Sequence, residues 1–360
     1  MDSTVDRIDS DNPAPALFPE NASSSRGQNM EPSLPVVDCV GIFSSSHTRV
    51  AHTQANDWHG HDSESEYVPT HTKRKEAATN IRRHLELSTY IYAINHGIPE
   101  DIQKNAEMVM HNFFQLPLEG KRQVHESRSS AKRGYQCLRQ VHDDTPGRRD
   151  LREAFKVRID PTTDPSRRPH AQDPNANQWP DCHDFREALH DYTAGMLRFS
   201  EHFIRAISLS LTSSEDFFDQ HYTTLNGLSL LYYLPGKYDA EVGRSAHTDF
   251  SWFTIINQLS PVLCLQVRTS AGEFETVPYI PNTLVIVAGD FLQRASNGIF
   301  SATVHRVHNN TEQERYSVVY FFDADPEAII DTPCECIREK GSRLYEPVRG
   351  GDWKKQLYLL

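Results

Sequence analysis

Seven short runs rich in Val, Ile, Leu, Thr, Tyr and Phe follow one another after Leu225: LSLLYYLPG, SWFTIINQL, LCLQVRT, FETVPYI, TLVIVAGD, ATVHRVHN and RYSVVYFFDA. Gly, Pro, Asn or Asp separates them at close spacing, the pattern of an antiparallel sandwich or jelly roll. Ahead of them the periodicity is helical. Ala77, Ile81, Leu85 and Leu87 lie close to an i, i+4 stripe. Ile98 to Val124 reads as an amphipathic helix interrupted near Leu116-Pro117, and Asp184 to Ser213 as a second long helix. Helices first and a β-core after them predict an α+β fold, mainly β in its core, with N-terminal helices in support.

The remaining segments place the boundaries. Residues 1–33 are rich in Asp, Ser, Asn and Pro without periodicity and read as a disordered tail. LPVVDCVGIF (34–43) is of strand type, and TYIYAINHG (89–97) is a strand stopped by a Gly turn. Between them, residues 44–73 form a polar insertion; its five histidines have no fixed spacing and read as a solvated loop. Residues 140–182 are charged and Pro-rich and read as loop. The chain thus divides into an N-terminal helical and strand region (34–213), a β-core (214–340) and a C-terminal extension (341–360). A net charge of −12 without a Lys/Arg run argues against nucleic acid or an anionic membrane as a partner. No apolar stretch approaches the roughly 18–20 residues that span a bilayer. The N-terminal residues lack a secretory pattern, so the expected compartment is cytoplasmic. Six scattered cysteines do not resemble a disulfide scaffold and read as ordinary thiols.

The chemistry concentrates in His247-Thr248-Asp249. Side chains two apart on a strand share a face, so this imidazole and carboxylate project together. His305, on another predicted strand, supplies a third donor. His308 is its rival, but lies an odd number of residues away and so on the opposite face. Two neutral imidazoles and a carboxylate on one face of an octahedron suit Fe(II) and leave three positions open. A structural zinc site would be closed and tetrahedral, often with thiolates, and no cysteine is near in sequence. Arg315 and Ser317 stand two apart on RYSVVYFF, where guanidinium and hydroxyl together can grip a carboxylate. An Arg on so apolar a strand needs a partner, either that ligand or a carboxylate of the protein.

The order HTD, GD, NG, HRV, RYS resembles the isopenicillin N synthase-like branch of the Fe(II)/2-oxoglutarate-dependent dioxygenases. LPVVD, INHGIPEDI, FFQLPLEGKR, RGYQ and LLYYLPG are similar to that family's segments in the same order, so the resemblance runs from about Leu34 to Phe322. It implies a distorted double-stranded β-helix (jelly-roll) core. By position, His247, Asp249 and His305 match the iron ligands, Arg315 and Ser317 the pair on the distal carboxylate of 2-oxoglutarate, and Tyr233 a hydrogen-bond donor to that co-substrate. The chain departs from the family pattern at Leu231, Ala295 and Cys264.

The resemblance further implies O2 as second co-substrate, ascorbate as a supporting reductant, and oxidation of a small molecule of specialised metabolism by hydroxylation, desaturation or ring closure. Phe321, Tyr135, Arg139, Phe155 and Phe253 are the positional candidates for substrate contact. His96, in Asn95-His96-Gly97, reads as part of a structural turn, and Asp290 as fixing another. Two alternatives stay open: a same-fold Fe(II) oxidase using Arg-x-Ser for another carboxylate, and a non-catalytic binding protein, against which three intact ligands argue.

Overall fold

Side chains alternate across a strand, so one sheet can carry two different surfaces, and this chain puts helices on one and a cavity on the other. The computed structural model describes residues 34–43, 69–137, 140–141, 149–150, 152–162, 176–235, 243–308 and 311–358. The predicted tail, most of the polar insertion and Arg139 lie outside the described residues.

Strand β1 (Val36–Asp38) precedes helix α1 (His71–Leu87), β2 (Ile91–Ile94), α2 (Glu100–Phe114) and the short α3 (Leu118–Arg122). The Thr70 hydroxyl accepts from the Lys73 N–H and caps α1, which therefore starts ahead of the apolar stripe that first reveals it. Glu100 and Asp101 sit in the first turn of α2, where the helix dipole favours them. Pro117 cannot continue that helix and restarts the chain as α3. Next come β3 (Gly134–Gln136), the paired β4 (Gln140–Val141) and β5 (Arg149–Asp150), β6 (Arg152–Ile159) and the long α4 (Phe185–Thr212).

The predicted β-rich half follows as β7 (Asn226–Tyr233), β8 (Arg244–His247), β9 (Phe253–Gln258), β10 (Leu265–Arg268), β11 (Phe274–Thr276) and β12 (Leu284–Ala288). It continues through α5 (Asp290–Ala295), β13 (His305–Val307) and β14 (Arg315–Phe322). The C-terminal part adds β15 (Ile329–Ile330), α6 (Cys334–Lys340), β16 (Val348–Arg349) and α7 (Gly350–Tyr358). Among the described residues no helix is long and apolar enough to cross a membrane.

An eight-stranded sheet in the order β1-β2-β12-β9-β14-β7-β6-β3 faces a four-stranded sheet, β11-β10-β13-β8. This is the mixed α+β, double-stranded β-helix architecture. The large sheet ignores the boundary read at residue 213: β1, β2, β3 and β6 come from the N-terminal region and extend it. An eight-residue strand, β6, also replaces part of the loop expected over 140–182.

The two faces bury different sets. Phe155, Leu230, Phe253, Val318 and Phe322 pack outward against Ile81, Phe113, Phe199 and Phe203 of the helices. Ala154, Leu231, Tyr233, Ile256 and Val319 point inward toward Leu265, Val267 and Val307 of the small sheet. The parity of each strand thus decides which residues can reach the cavity.

The turn after β2 is held by shape. Asn95 and Gly97 adopt φ of 52° and 71°, and a Cβ on Gly97 would come within 3.0 Å of the Phe43 ring. His96 is buried there, its Nδ1 accepting from the Ile98 N–H at 3.2 Å, which makes it a structural residue. Burial pushes its pKa down to about 4, and burial with the nearby Arg198 and Arg205 does the same to His202. Both histidines are held neutral, so their contribution is complete above the unfolded value of about 6.5 and is lost as pH falls toward 4. We expect the unfolding free energy read from urea titrations to fall over that window by roughly 3 kcal/mol per histidine, and His96→Gln to flatten the slope.

Candidate active site

β8 ends on His247, Asp249 lies two residues beyond, and β13 opens on His305. His247 and His305 are register partners across the small sheet, with ring centroids 4.4 Å apart. The two Nε2 atoms lie 3.4 Å and 3.5 Å from the Asp249 carboxylate oxygens, and one donor atom from each residue falls within a 4.8 Å set. Each Nδ1–H donates to a backbone carbonyl two residues back, Ser245 at 2.8 Å and Thr303 at 3.0 Å. Both Nε2 lone pairs are thereby aimed at the shared point. The Thr254 hydroxyl donates to Asp249 Oδ2 at 2.6 Å.

Electrostatics suit a cation. Burial alone would raise the Asp249 carboxyl, but His305, His247 and the Thr254 hydroxyl outweigh it and hold it well below the usual carboxylate range. Burial lowers the His305 pKa, so its imidazole is neutral and free to bind metal. Two neutral nitrogens and one ionised oxygen on a single face are the donor set of a facial Fe(II) site.

Across the cavity, Arg315 is 1% exposed. Its Nη1 donates to Ser317 Oγ at 2.9 Å, and its Cζ lies 5.1 Å from the centre of the Tyr233 ring. Its Nε and Nη2 have no hydrogen-bond partner among the described residues, and no carboxylate pairs with it there. A buried guanidinium left so incomplete costs free energy unless an anion completes it. The alternative of a protein carboxylate on Arg315 therefore fails among the described residues. Arg315, Ser317, Tyr233 and the three metal donors line one cavity of about 110 Å³.

Similarity to known proteins extends over both halves of the chain. Residues 225–324 match the 2OG-Fe(II) oxygenase superfamily, and residues 63–182 match the N-terminal region described for a non-haem dioxygenase in morphine synthesis. A homoarginine-6-hydroxylase of Oryza sativa subsp. japonica is 33% identical over 277 residues, covering 73% of this chain and 82% of that protein. The chain belongs to the 2OG-Fe(II) oxygenase superfamily. A 2-oxoglutarate-Fe(II) type oxidoreductase of Emericella nidulans is 27% identical, with 77% of this chain and 82% of that protein covered. In fold, the oxygenase superposes on a full-length Neurospora crassa protein solved in complex with alpha-KG, with a TM-score of 0.74 at 23% identity over 91% of this chain and 96% of that one. It is thus a non-haem Fe(II)/2-oxoglutarate-dependent oxygenase, with Fe(II) held by His247, Asp249 and His305.

The oxygenase treats the other predicted residues unequally. Phe321 lines the cavity, over Gly227, whose missing side chain leaves its ring room: a Cβ there would meet it at 3.3 Å. Tyr135, Phe155 and Phe253 belong to the opposite face and the helix-side core. Phe155 packs on Phe113 and Phe185, Tyr135 on Phe113, and Phe253 on Phe203 and Phe322. Their strand parity turns them away from the cavity, which corrects the positional reading. His308 is outside the metal set, its N–H bonded to the Cys264 carbonyl at 2.8 Å. Asp290 opens α5 with its N–H on the Asp249 carbonyl at 2.9 Å and takes no place among the donors. Arg152, Lys156 and Arg244 also line the cavity and were missed, although the alternation of Phe155, Val157 and Ile159 marks 152–159 as a strand.

Thr254→Val removes the hydroxyl that fixes Asp249 while keeping shape, and we expect Fe(II) affinity to fall about 10- to 100-fold. Metal titration of the apoprotein against a competing chelator checks it; unchanged affinity would show that Asp249 needs no such support.

Proposed function

We propose that Arg315, Ser317 and Tyr233 hold the distal carboxylate of 2-oxoglutarate, and that the enzyme oxidises a C–H bond of a small organic molecule lying beside Phe321. The observation that carries this is the incomplete hydrogen bonding of the buried Arg315 guanidinium. Bound Fe(II) supplies the activation of O2 that couples conversion of 2-oxoglutarate to succinate and CO2 with substrate oxidation.

The chain's own residues do the positioning. Asp249 neutralises part of the metal charge, the two Nδ1–H bonds lock the imidazoles, and Arg315 fixes the far end of the co-substrate. Leu231, Ile256, Leu265, Val307 and Val319 supply apolar walls that exclude water from the reacting bond. Relatives named for hydroxylation and for azadirone synthesis support a small molecule of specialised metabolism, with hydroxylation as the outcome.

The test is a screen of metabolite fractions with Fe(II)-loaded protein, reading succinate formed from 2-oxoglutarate. A fraction that raises succinate above the substrate-free rate, with a product gaining oxygen, is expected. No consumption of 2-oxoglutarate with any fraction would overturn the reading.

A further inference from the structure

Iron held by His305 depends on where that imidazole points, and the direction is set ahead of β13. Residues 301–304 lie outside any strand, so no regular ladder orients the Thr303 carbonyl that accepts the His305 Nδ1–H. Individual bonds do it instead. The Thr303 N–H donates to the Ala288 carbonyl at 2.9 Å, and its hydroxyl to the Thr89 carbonyl at 2.6 Å. One residue earlier, the Ala302 N–H donates to Gln293 Oε1 at 2.7 Å. A backbone N–H needs an acceptor, which fixes which end of the amide faces it.

Ala288 and Gln293 belong to one corner of the chain, the end of β12 and the α5 that follows it. The same corner holds Asp249. The N–H groups of Gly289, Asp290 and Phe291 donate to the carbonyls of Trp252, Asp249 and Ser251 at 3.0, 2.9 and 3.2 Å. Contact is so close that a Cβ on Gly289 would collide with the Ser251 carbonyl, and the corner cannot slide against the Asp249 turn. Gln293 is tied into it by its own N–H, which donates to the Gly289 carbonyl at 3.1 Å. Residues 288–293 therefore brace both Asp249 and His305, and Gln293 is the side chain through which the bracing reaches the histidine.

We propose that Gln293 is a positioning residue for the iron. Its amide oxygen holds the chain at Ala302, which keeps the Thr303 carbonyl on the His305 Nδ1–H and the His305 Nε2 lone pair on the metal position that Asp249 shares. A carbonyl on the far nitrogen fixes the tautomer and the ring direction of a metal-binding imidazole, and loosening such partners weakens metal binding about 10- to 100-fold. His247 has a carbonyl of its own, that of Ser245 on β8, so the role of Gln293 is confined to the His305 side. It depends on neither the Arg315 grip nor the identity of a substrate.

The experiment is anaerobic titration of the full-length apoprotein with Fe(II) against a competing chelator, with a melting curve for each variant. Gln293→Met and Gln293→Leu both remove the oxygen, and each is expected to bind Fe(II) about 10- to 100-fold more weakly. Gln293→Glu keeps an oxygen for the Ala302 N–H and is expected to stay within about fivefold of the parent. Asn297→Gly is the control for damage to the same loop. It loses the bonds of the Asn297 amide to Ser342 and Leu344 while glycine accepts the φ of 54°. Its melting temperature should fall and its Fe(II) affinity should stay within about fivefold of the parent. Unchanged affinity in Gln293→Met and Gln293→Leu would overturn the proposal, whatever their melting temperatures. So would equal weakening in Gln293→Glu, or in Asn297→Gly. 2-Oxoglutarate takes no part in these titrations, so their outcome and that of the co-substrate reading are independent.

Discussion

Arg315→Met is expected to raise the 2-oxoglutarate concentration for half-maximal turnover by about 30-fold or more, with Fe(II) affinity unchanged. Truncating one side of a buried charge pair costs about 2–5 kcal/mol, and the lower figure is already a factor of about 30. The prediction has a second arm, because the guanidinium lacks partners at Nε and Nη2 in the ligand-free protein. Exchanging an incompletely bonded buried charge for an apolar side chain is neutral or stabilising. The ligand-free variant should therefore melt no lower than the parent, while the rise in melting temperature on adding 2-oxoglutarate largely disappears. A structural role for Arg315 predicts the reverse: a lower melting temperature with co-substrate affinity intact. Steady-state kinetics and paired melting curves separate the two.

Asp249→Asn is expected to lower turnover by roughly a thousandfold or more, since a charged ligand on the metal contributes several kcal/mol. The amide keeps shape but cannot carry the charge that His247 and His305 stabilise on Asp249. It can still accept from the Thr254 hydroxyl, so the fold around β9 should survive. Near-parental circular dichroism with no bound Fe(II), measured by metal analysis after desalting, is the expected pair of results. Retention of stoichiometric iron would show that the two histidines suffice.

The parts of this site that could be read from sequence are those where short motif and strand parity agree. His247 and Asp249 sit two apart, His305 is their neighbour in register, and Arg315 and Ser317 share a face of β14. The same parity shows why other readings failed. Tyr135, Phe155 and Phe253 are large aromatics near the right segments, but alternate onto the helix-side face. Sequence spacing gives parity within a strand and leaves open which face looks inward.

β6 was hidden for a related reason. Its inward residues are Arg152, Ala154 and Lys156, so a strand with basic residues on its cavity face resembles a charged loop. β8 is similar: RSAH has little apolar content, and Asp249 falls just past its end rather than inside a strand. The joining of β1, β2, β3 and β6 into the large sheet was also illegible, because such pairings depend on long-range register, which local pattern does not encode.

Anaerobic titration of the Fe(II)-loaded protein with 2-oxoglutarate tests the central claim most directly. The account predicts a visible charge-transfer band that saturates at one equivalent per chain, is absent in Asp249→Asn and needs far more 2-oxoglutarate in Arg315→Met. A wild-type protein that binds one Fe(II) yet gives no band at any 2-oxoglutarate concentration would contradict it.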